Sequence, residues 1–151
     1  MRALDTRLWQ VAWDGDAAAV ERLAGEGASA DAKDEDGCPA VVEAADMGHT
    51  EVVEALLRLG CDPNASHTSG SIGATALMAA AGNGHGGVVG ALLEHGGVDL
   101  DAVDSNGETA LMKAARHGQA AIAAQLVDAG ADATLRNYEG MTALELSLIH
   151  I

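Results

Sequence analysis

The densest group of chemically capable side chains is acidic: Asp31, Asp34, Glu35 and Asp36 crowd in front of Gly37, and Glu43 follows that glycine. Alternating oxygen ligands, a glycine and a later glutamate make the pattern of a calcium loop. Its first ligand position, however, falls on Ala32, which has no side-chain oxygen. The run is better explained as an electrostatic feature that speeds association with a basic partner surface. The chain has six histidines, but His49 and His85 hold matching slots of a recurring pattern, so they lie too far apart to share a zinc ion at bonds of ~2 Å. Cys38 and Cys61 form no CxxC pair and suit a reducing compartment, with a small buried hydrophobe expected at Cys61. No GxSxG, Walker loop, HExxH or suggestive Cys/His pair occurs. Neither catalysis, nor a cofactor, nor a metal is expected. Trp9 and Trp13, four apart, share one side of any helix that carries them.

Composition narrows the classes further. The 151 residues are 48% hydrophobic, too apolar for a disordered polyelectrolyte, yet Phe is absent and aromatics are only 2%. Small side chains of this kind fill a thin, layered core rather than a wide one. With 23 acidic against 8 basic residues the net charge is −15, which repels phosphate backbones and anionic membranes, so neither nucleic acid nor membrane is an expected partner. Residues 1–7 contain no apolar leader segment, and no apolar stretch approaches the roughly 20 residues that span a bilayer. A soluble cytoplasmic chain is expected, with the nucleus also open.

The elements that must position these residues emerge from a repeat. Gly15, Gly48, Gly84 and Gly118 are spaced by 33, 36 and 34 residues, and Gly27, Gly60, Gly96 and Gly130 each follow twelve later. Gly37, Gly73, Gly107 and Gly140 complete the set. The first series is expected to end one helix in a left-handed cap, the second to end the next helix, and the third to supply positive φ at a hairpin tip. On this reading the 19 glycines are structural punctuation. "TALMKAARHG" (109–118) starts with a capping Thr and puts Leu111, Ala114 and Ala115 on one stripe. "QAAIAAQLVDAG" (119–130) puts Ile122, Leu126 and Val127 on a second, able to pack back on the first.

At this register the strings "DEDGCPAVVEAADMGHTEVVEALLRLGCDPNAS" (34–66) and "DSNGETALMKAARHGQAAIAAQLVDAGADATLR" (104–136) resemble complete ankyrin units. The resemblance covers nearly the whole chain. It implies an all-α solenoid of stacked helix-turn-helix units with β-hairpin finger loops. Expected units are a lead-in at 1–5, a cap-like first repeat at 6–33, repeats at 34–66, 67–103 and 104–136, a partial fifth at 137–145, and a tail at 146–151.

Departures from the family pattern carry their own expectations. Ala76, Ala110 and Ala143 stand where Pro is typical, and Met78 and Met112 where the family commonly has a His that ties neighbouring hairpins, so that tie is expected to be missing. Pro39 occupies the Thr slot, leaving its helix without a hydroxyl cap. "HTSGSIG" (67–73) lengthens one finger, which is expected to be mobile. After "NYEGMTALE" the sequence "LSLIHI" (146–151) departs from the pattern and resembles a translated sequencing adapter, hence a non-native tail. Fraying is expected from Gly140, with Leu144, Leu146, Leu148 and Ile149 exposed, and self-association through this uncapped end is a further expectation.

The resemblance places partner contacts on the fingers and on the ends of the inner helices. Residue by residue this selects Trp13 and Asp14; Glu35, Asp36, Cys38, Asp46 and Met47; Ala74, Gly82 and Asn83; Ser105, Asn106, Glu108, Arg116 and His117; and Tyr138 and Glu139. Trp13 is either an anchor or an end-capping residue, whereas Trp9 is expected to pack. The expected function is a protein-protein interaction module, an adaptor or scaffold that binds another protein or peptide, with a basic surface, through its concave acidic face. The rival is a targeting or regulatory segment of a larger enzyme or channel.

Overall fold

A computed structural model describes residues 2–68 and 73–149, and the expected mobility of the long finger concerns residues 69–72, outside that set. Nine helices form among the described residues: α1 (Ala3–Trp13), α2 (Ala17–Gly25), α3 (Ala40–Met47), α4 (Thr50–Arg58), α5 (Ala76–Asn83), α6 (Gly86–His95), α7 (Ala110–Arg116), α8 (Ala120–Asp128) and α9 (Ala143–Ile149). Odd-numbered helices stack in one row, α1 on α3 on α5 on α7 on α9, and α2, α4, α6 and α8 stack in a second row behind it. The core is the thin seam between the rows of an all-α solenoid, as the resemblance noted above implies.

α4 shows how sequence makes this layer. Val52, Val53, Leu56 and Leu57 are buried while Glu51, Glu54 and Arg58 face water. Each such aliphatic side chain contributes about 1.5–3 kcal/mol on full burial. The first row is lined instead by alanines: Ala44, Ala45, Ala80, Ala81 and Ala114 are fully buried, and their methyl groups let the helices lie close. Thr75 and Thr109 accept hydrogen bonds from the amides of Met78 and Met112 at 3.3 and 3.2 Å, capping α5 and α7. α3 begins at Pro39 with no side-chain cap, as its sequence predicts.

The twelve glycines of the three repeating series all adopt positive φ. Punctuation does not extend to every glycine, however: Gly86, Gly87 and Gly90 lie inside α6, where a Cβ on Gly87 would sit 3.1 Å from Thr50 Oγ1 of α4. Close helix approach, not a turn, is the use of that residue.

Neighbouring repeats are tied by a second, polar system. Asp31 Oδ1 accepts the Asp62 amide at 2.8 Å, Asn64 Oδ1 the Asp99 amide at 2.7 Å, and Asp101 Oδ1 the Asp132 amide at 2.9 Å. The ties expected to be lost with Met78 and Met112 are replaced by rings elsewhere. His49 Nε2 lies 2.9 Å from the Trp13 carbonyl and His85 Nε2 2.9 Å from the Asp46 carbonyl.

Two expectations are corrected at the far end. Leu146 is fully buried where α9 packs on α7, while Leu144, Leu148 and Ile149 are exposed as expected. Val127, placed by its spacing on the buried stripe of α8, is 49% exposed because no helix follows α8 in its row among the described residues.

Candidate functional site

The candidate residues fall on two neighbouring rows. The first consists of the C-terminal ends of α1, α3, α5 and α7, which carry Trp13 and Asp14, Asp46 and Met47, Asn83, then Arg116 and His117. Hydrogen bonds join the first three helix ends of this row: besides the two histidine rings, Asn83 Nδ2 donates to the Asp46 backbone oxygen at 3.1 Å and to its Oδ1 at 2.7 Å. Trp13 and Met47 are 45% and 39% exposed, which makes the row partly apolar.

The second row is the fingers. Asp34 Oδ1 accepts the amides of Asp36 and Cys38, Asp104 Oδ1 those of Asn106 and Glu108, and Asn137 Oδ1 those of Glu139 and Met141, all between 2.8 and 3.0 Å. One acceptor in one register thus shapes three fingers. In the acidic run, Asp34 Oδ1 is therefore engaged with its own backbone, while Glu35 and Asp36 point to water. Adjacent fingers join through Thr68 N to Gly37 O at 3.4 Å and Tyr138 N to Asn106 O at 3.1 Å. Tyr138 is 75% exposed, and its ring lies over Gly107. Ser105 and Asn106 are exposed beside it, and Glu139 completes that tip.

A cleft bounded by Thr6, Trp9 and Gln10 of α1 and by Asp34 and Glu35 joins the two rows at the first repeat. Thr6 and Gln10 escaped the sequence selection, although their spacing from Trp9 and Trp13 puts all four on one side of α1. Trp9 itself is buried and donates from Nε1 to the Cys38 carbonyl at 2.9 Å, while its ring meets Trp13 edge to face at 5.4 Å.

Glu108 belongs inside the protein rather than on the contact surface. It is 4% exposed, pairs with Arg116 through Oε2, receives Asn137 Nδ2 at 3.1 Å, and lies 3.6 Å from Lys113 Nζ, which also holds Asp104 at 2.6 Å. Burial pushes the Glu108 carboxyl up, but hydrogen bonds from Arg116 and Asn137 and the charges of Arg116 and Lys113 outweigh it, so the group sits below its usual value. Asp104 follows the same pattern: burial raises it, and Lys113 with the Glu108 and Asn106 amides hold it low. Arg116 is consequently half engaged inward. Cys38 is also buried, its thiol pushed up to about 12 by burial and by Glu43 and Asp34 nearby. Glu43 is itself raised, by burial first and by the Asp46 and Asp34 charges next.

A family model described as ankyrin repeats (3 copies) matches residues 8–104, 59–137 and 96–150. The chain belongs to the ankyrin-repeat family. Ankyrin repeats are generally protein-protein interaction modules and typically non-catalytic. A search of curated proteins finds no match to the chain. Among the described residues of this ankyrin-repeat chain no helix is long and apolar enough to cross a membrane.

Proposed function

We propose that the chain is an adaptor that holds a basic protein or peptide across the surface made by its finger tips and the ends of α1, α3, α5 and α7. The observation that carries this reading is the row from Trp13 through Met47 to Asn83 and His117: exposed side chains on successive helix ends, of which those from Trp13 to Asn83 are tied by inter-repeat hydrogen bonds. A pre-ordered surface loses little conformational entropy on binding, and an exposed tryptophan is a common hot-spot anchor. Asp14, Glu35, Asp36 and Asp46 flank the row, and the net charge of −15 favours a partner of opposite sign. Glu108 and Cys38 are left out of the contact set because they are buried. The free thiols Cys38 and Cys61 accord with a reducing compartment, cytosol or nucleus. We take the working units as 6–33, 34–66, 67–103, 104–136 and the partial 137–145, with a role inside a larger enzyme or channel as the alternative setting.

Site-specific photo-crosslinking tests the proposal. A photoreactive residue at Met47 or Ser105 should yield a defined adduct in cell extract, whereas the same group at exposed Glu54 on α4 should not. Adducts formed only from Glu54 would overturn it.

A further inference from the structure

Two asparagines, Asn83 and Asn106, precede a glycine, while Asn64 and Asn137 precede Ala65 and Tyr138. A glycine has no Cβ to hold its nitrogen away from the side chain before it. Asn83 and Asn106 are both exposed, and both following amides are engaged, Gly84 with the Ala80 carbonyl and Gly107 with the Asp104 carbonyl at 3.0 Å. Their side chains differ. Asn83 Nδ2 holds the Asp46 backbone oxygen at 3.1 Å and its Oδ1 at 2.7 Å, whereas the Asn106 side chain bonds to no described residue. The finger tip keeps its shape without that side chain: Asp104 Oδ1 accepts the Asn106 amide at 2.9 Å, and the Asn106 carbonyl accepts the Tyr138 amide at 3.1 Å. Gly107, by contrast, is demanded by the fold, since its φ is 72° and a Cβ there would lie 2.5 Å from Tyr138 Cδ1.

We propose that Asn106 is a site of spontaneous covalent modification, losing its side-chain amide as ammonia through ring closure by the Gly107 nitrogen, and that the finger accepts the aspartate so formed. When the tip opens, the Gly107 nitrogen gives up its proton and bonds to Asn106 Cγ; the Cγ–Nδ2 bond breaks, and ammonia leaves with that proton. Water then adds to one of the two imide carbonyls and the C–N bond there breaks, the nitrogen regaining a proton and the carbon keeping the oxygen as a carboxylate. Opening at Cγ gives aspartate on an unaltered main chain. Opening at the main-chain carbonyl carbon gives isoaspartate, in which the oxygen that accepted the Tyr138 amide becomes part of a carboxylate outside the chain path. The aspartate is accepted because Asp36 holds the same place in the second finger, with its amide on Asp34 Oδ1 at 3.0 Å and Gly37 at φ 81° behind it. Modification thus turns the fourth tip into a likeness of the acidic second one. At Asn83 the same closure must also break the two bonds to Asp46, which slows it about fivefold to thirtyfold.

The test incubates the folded 151-residue chain in mildly alkaline buffer and follows each asparagine by peptide mapping and mass spectrometry. Aspartate and isoaspartate should accumulate at position 106 at least about fivefold faster than at position 83, with positions 64 and 137 slower still. In the urea-unfolded chain the rates at 83 and 106 should converge, because the difference between them is made by the fold. Asn106→Gln, whose extra methylene disfavours the five-membered closure, should abolish the product at that position. Asn106→Asp should keep the urea midpoint of the unaltered chain. A folded chain that stays intact at position 106 while the unfolded one reacts, equal rates at 83 and 106 in the folded chain, or a faster rate at 83 would overturn the proposal. So would a lowered midpoint for Asn106→Asp, because the finger would then reject the product.

Discussion

Trp9 and Trp13 share one side of α1, yet only the second meets solvent, and in the proposed function this difference of one turn separates stability from recognition. Trp9→Ala removes a buried indole and its bond to the Cys38 carbonyl and should cost about 3–5 kcal/mol in urea unfolding. Trp13→Ala should leave the urea midpoint nearly unchanged while weakening partner capture. Loss of both properties in the second variant would assign Trp13 to the fold. The Glu108 cluster is likewise stabilising: Glu108→Gln should cost about 1–2 kcal/mol, in the lower range because the Arg116 side chain is 35% exposed and regains water. Asp104 and Glu108 titrate below their reference values of 3.8 and 4.5, so the unfolded chain binds more protons in acid. Their contribution is complete above about pH 4.5 and fades as pH falls through the folded values. The unfolding midpoint of Glu108→Gln should therefore decline less steeply between about pH 5 and pH 3 than that of the unaltered chain. The two thiols act with the opposite sign. Cys38 and Cys61, both raised from 9.0 to about 12 chiefly by burial, contribute stability below pH 9 that is lost as pH rises toward 12. At neutral pH both should resist alkylation until denaturant is added, and rapid labelling of the native chain would contradict their buried placement.

At the scale of elements, what the sequence made legible was whatever recurs. The glycine series, the Thr75 and Thr109 caps, the uncapped start of α3 and the Val/Leu stripe of α4 follow from local rules read at a fixed period. What escaped was pairwise. Glu108 looked like a finger residue because nothing local announces that Lys113, Arg116 and Asn137 converge on it from a helix and the next finger. Leu146 looked like part of an aberrant tail, although its i, i+3 relation to Ala143 was enough to give α9 a buried edge. The histidine ties were missed because the family slot for a tying His was filled by Met, while the substitute donor sits on the following helix. Those ties crowd two of the helix-ending glycines, Gly15 against His49 and, more closely, Gly48. Its φ of 77° already disfavours a side chain, and a Cβ there would lie 2.6 Å from His85 Nδ1, whereas Gly60 at φ 90° has nothing within 4 Å. Gly60→Ala should cost about 1–2 kcal/mol from backbone conformation alone. Gly48→Ala should cost about 0.5–1.5 kcal/mol more, since the His85 ring must give up its carbonyl bond. Equal losses in chemical denaturation would remove the ring from this account.

For the whole molecule, stability is a sum over junctions rather than the property of one centre, because each helix pair packs on its sequence neighbours. On the proposed function the interface runs along the stack, and a partner reaching from Trp13 to His117 would meet four successive helix ends. The polar staples from Asp31 to Asp62, Asn64 to Asp99 and Asp101 to Asp132 span 31, 35 and 31 residues. Pulled lengthwise, such a chain behaves as a row of buttons rather than a knot. Each staple that opens frees one repeat's worth of slack, roughly 110 Å for 31 residues and roughly 125 Å for 35. A force trace should rise and fall in near-equal teeth, with the longer one marking the junction that carries the longer finger sequence of repeat 67–103.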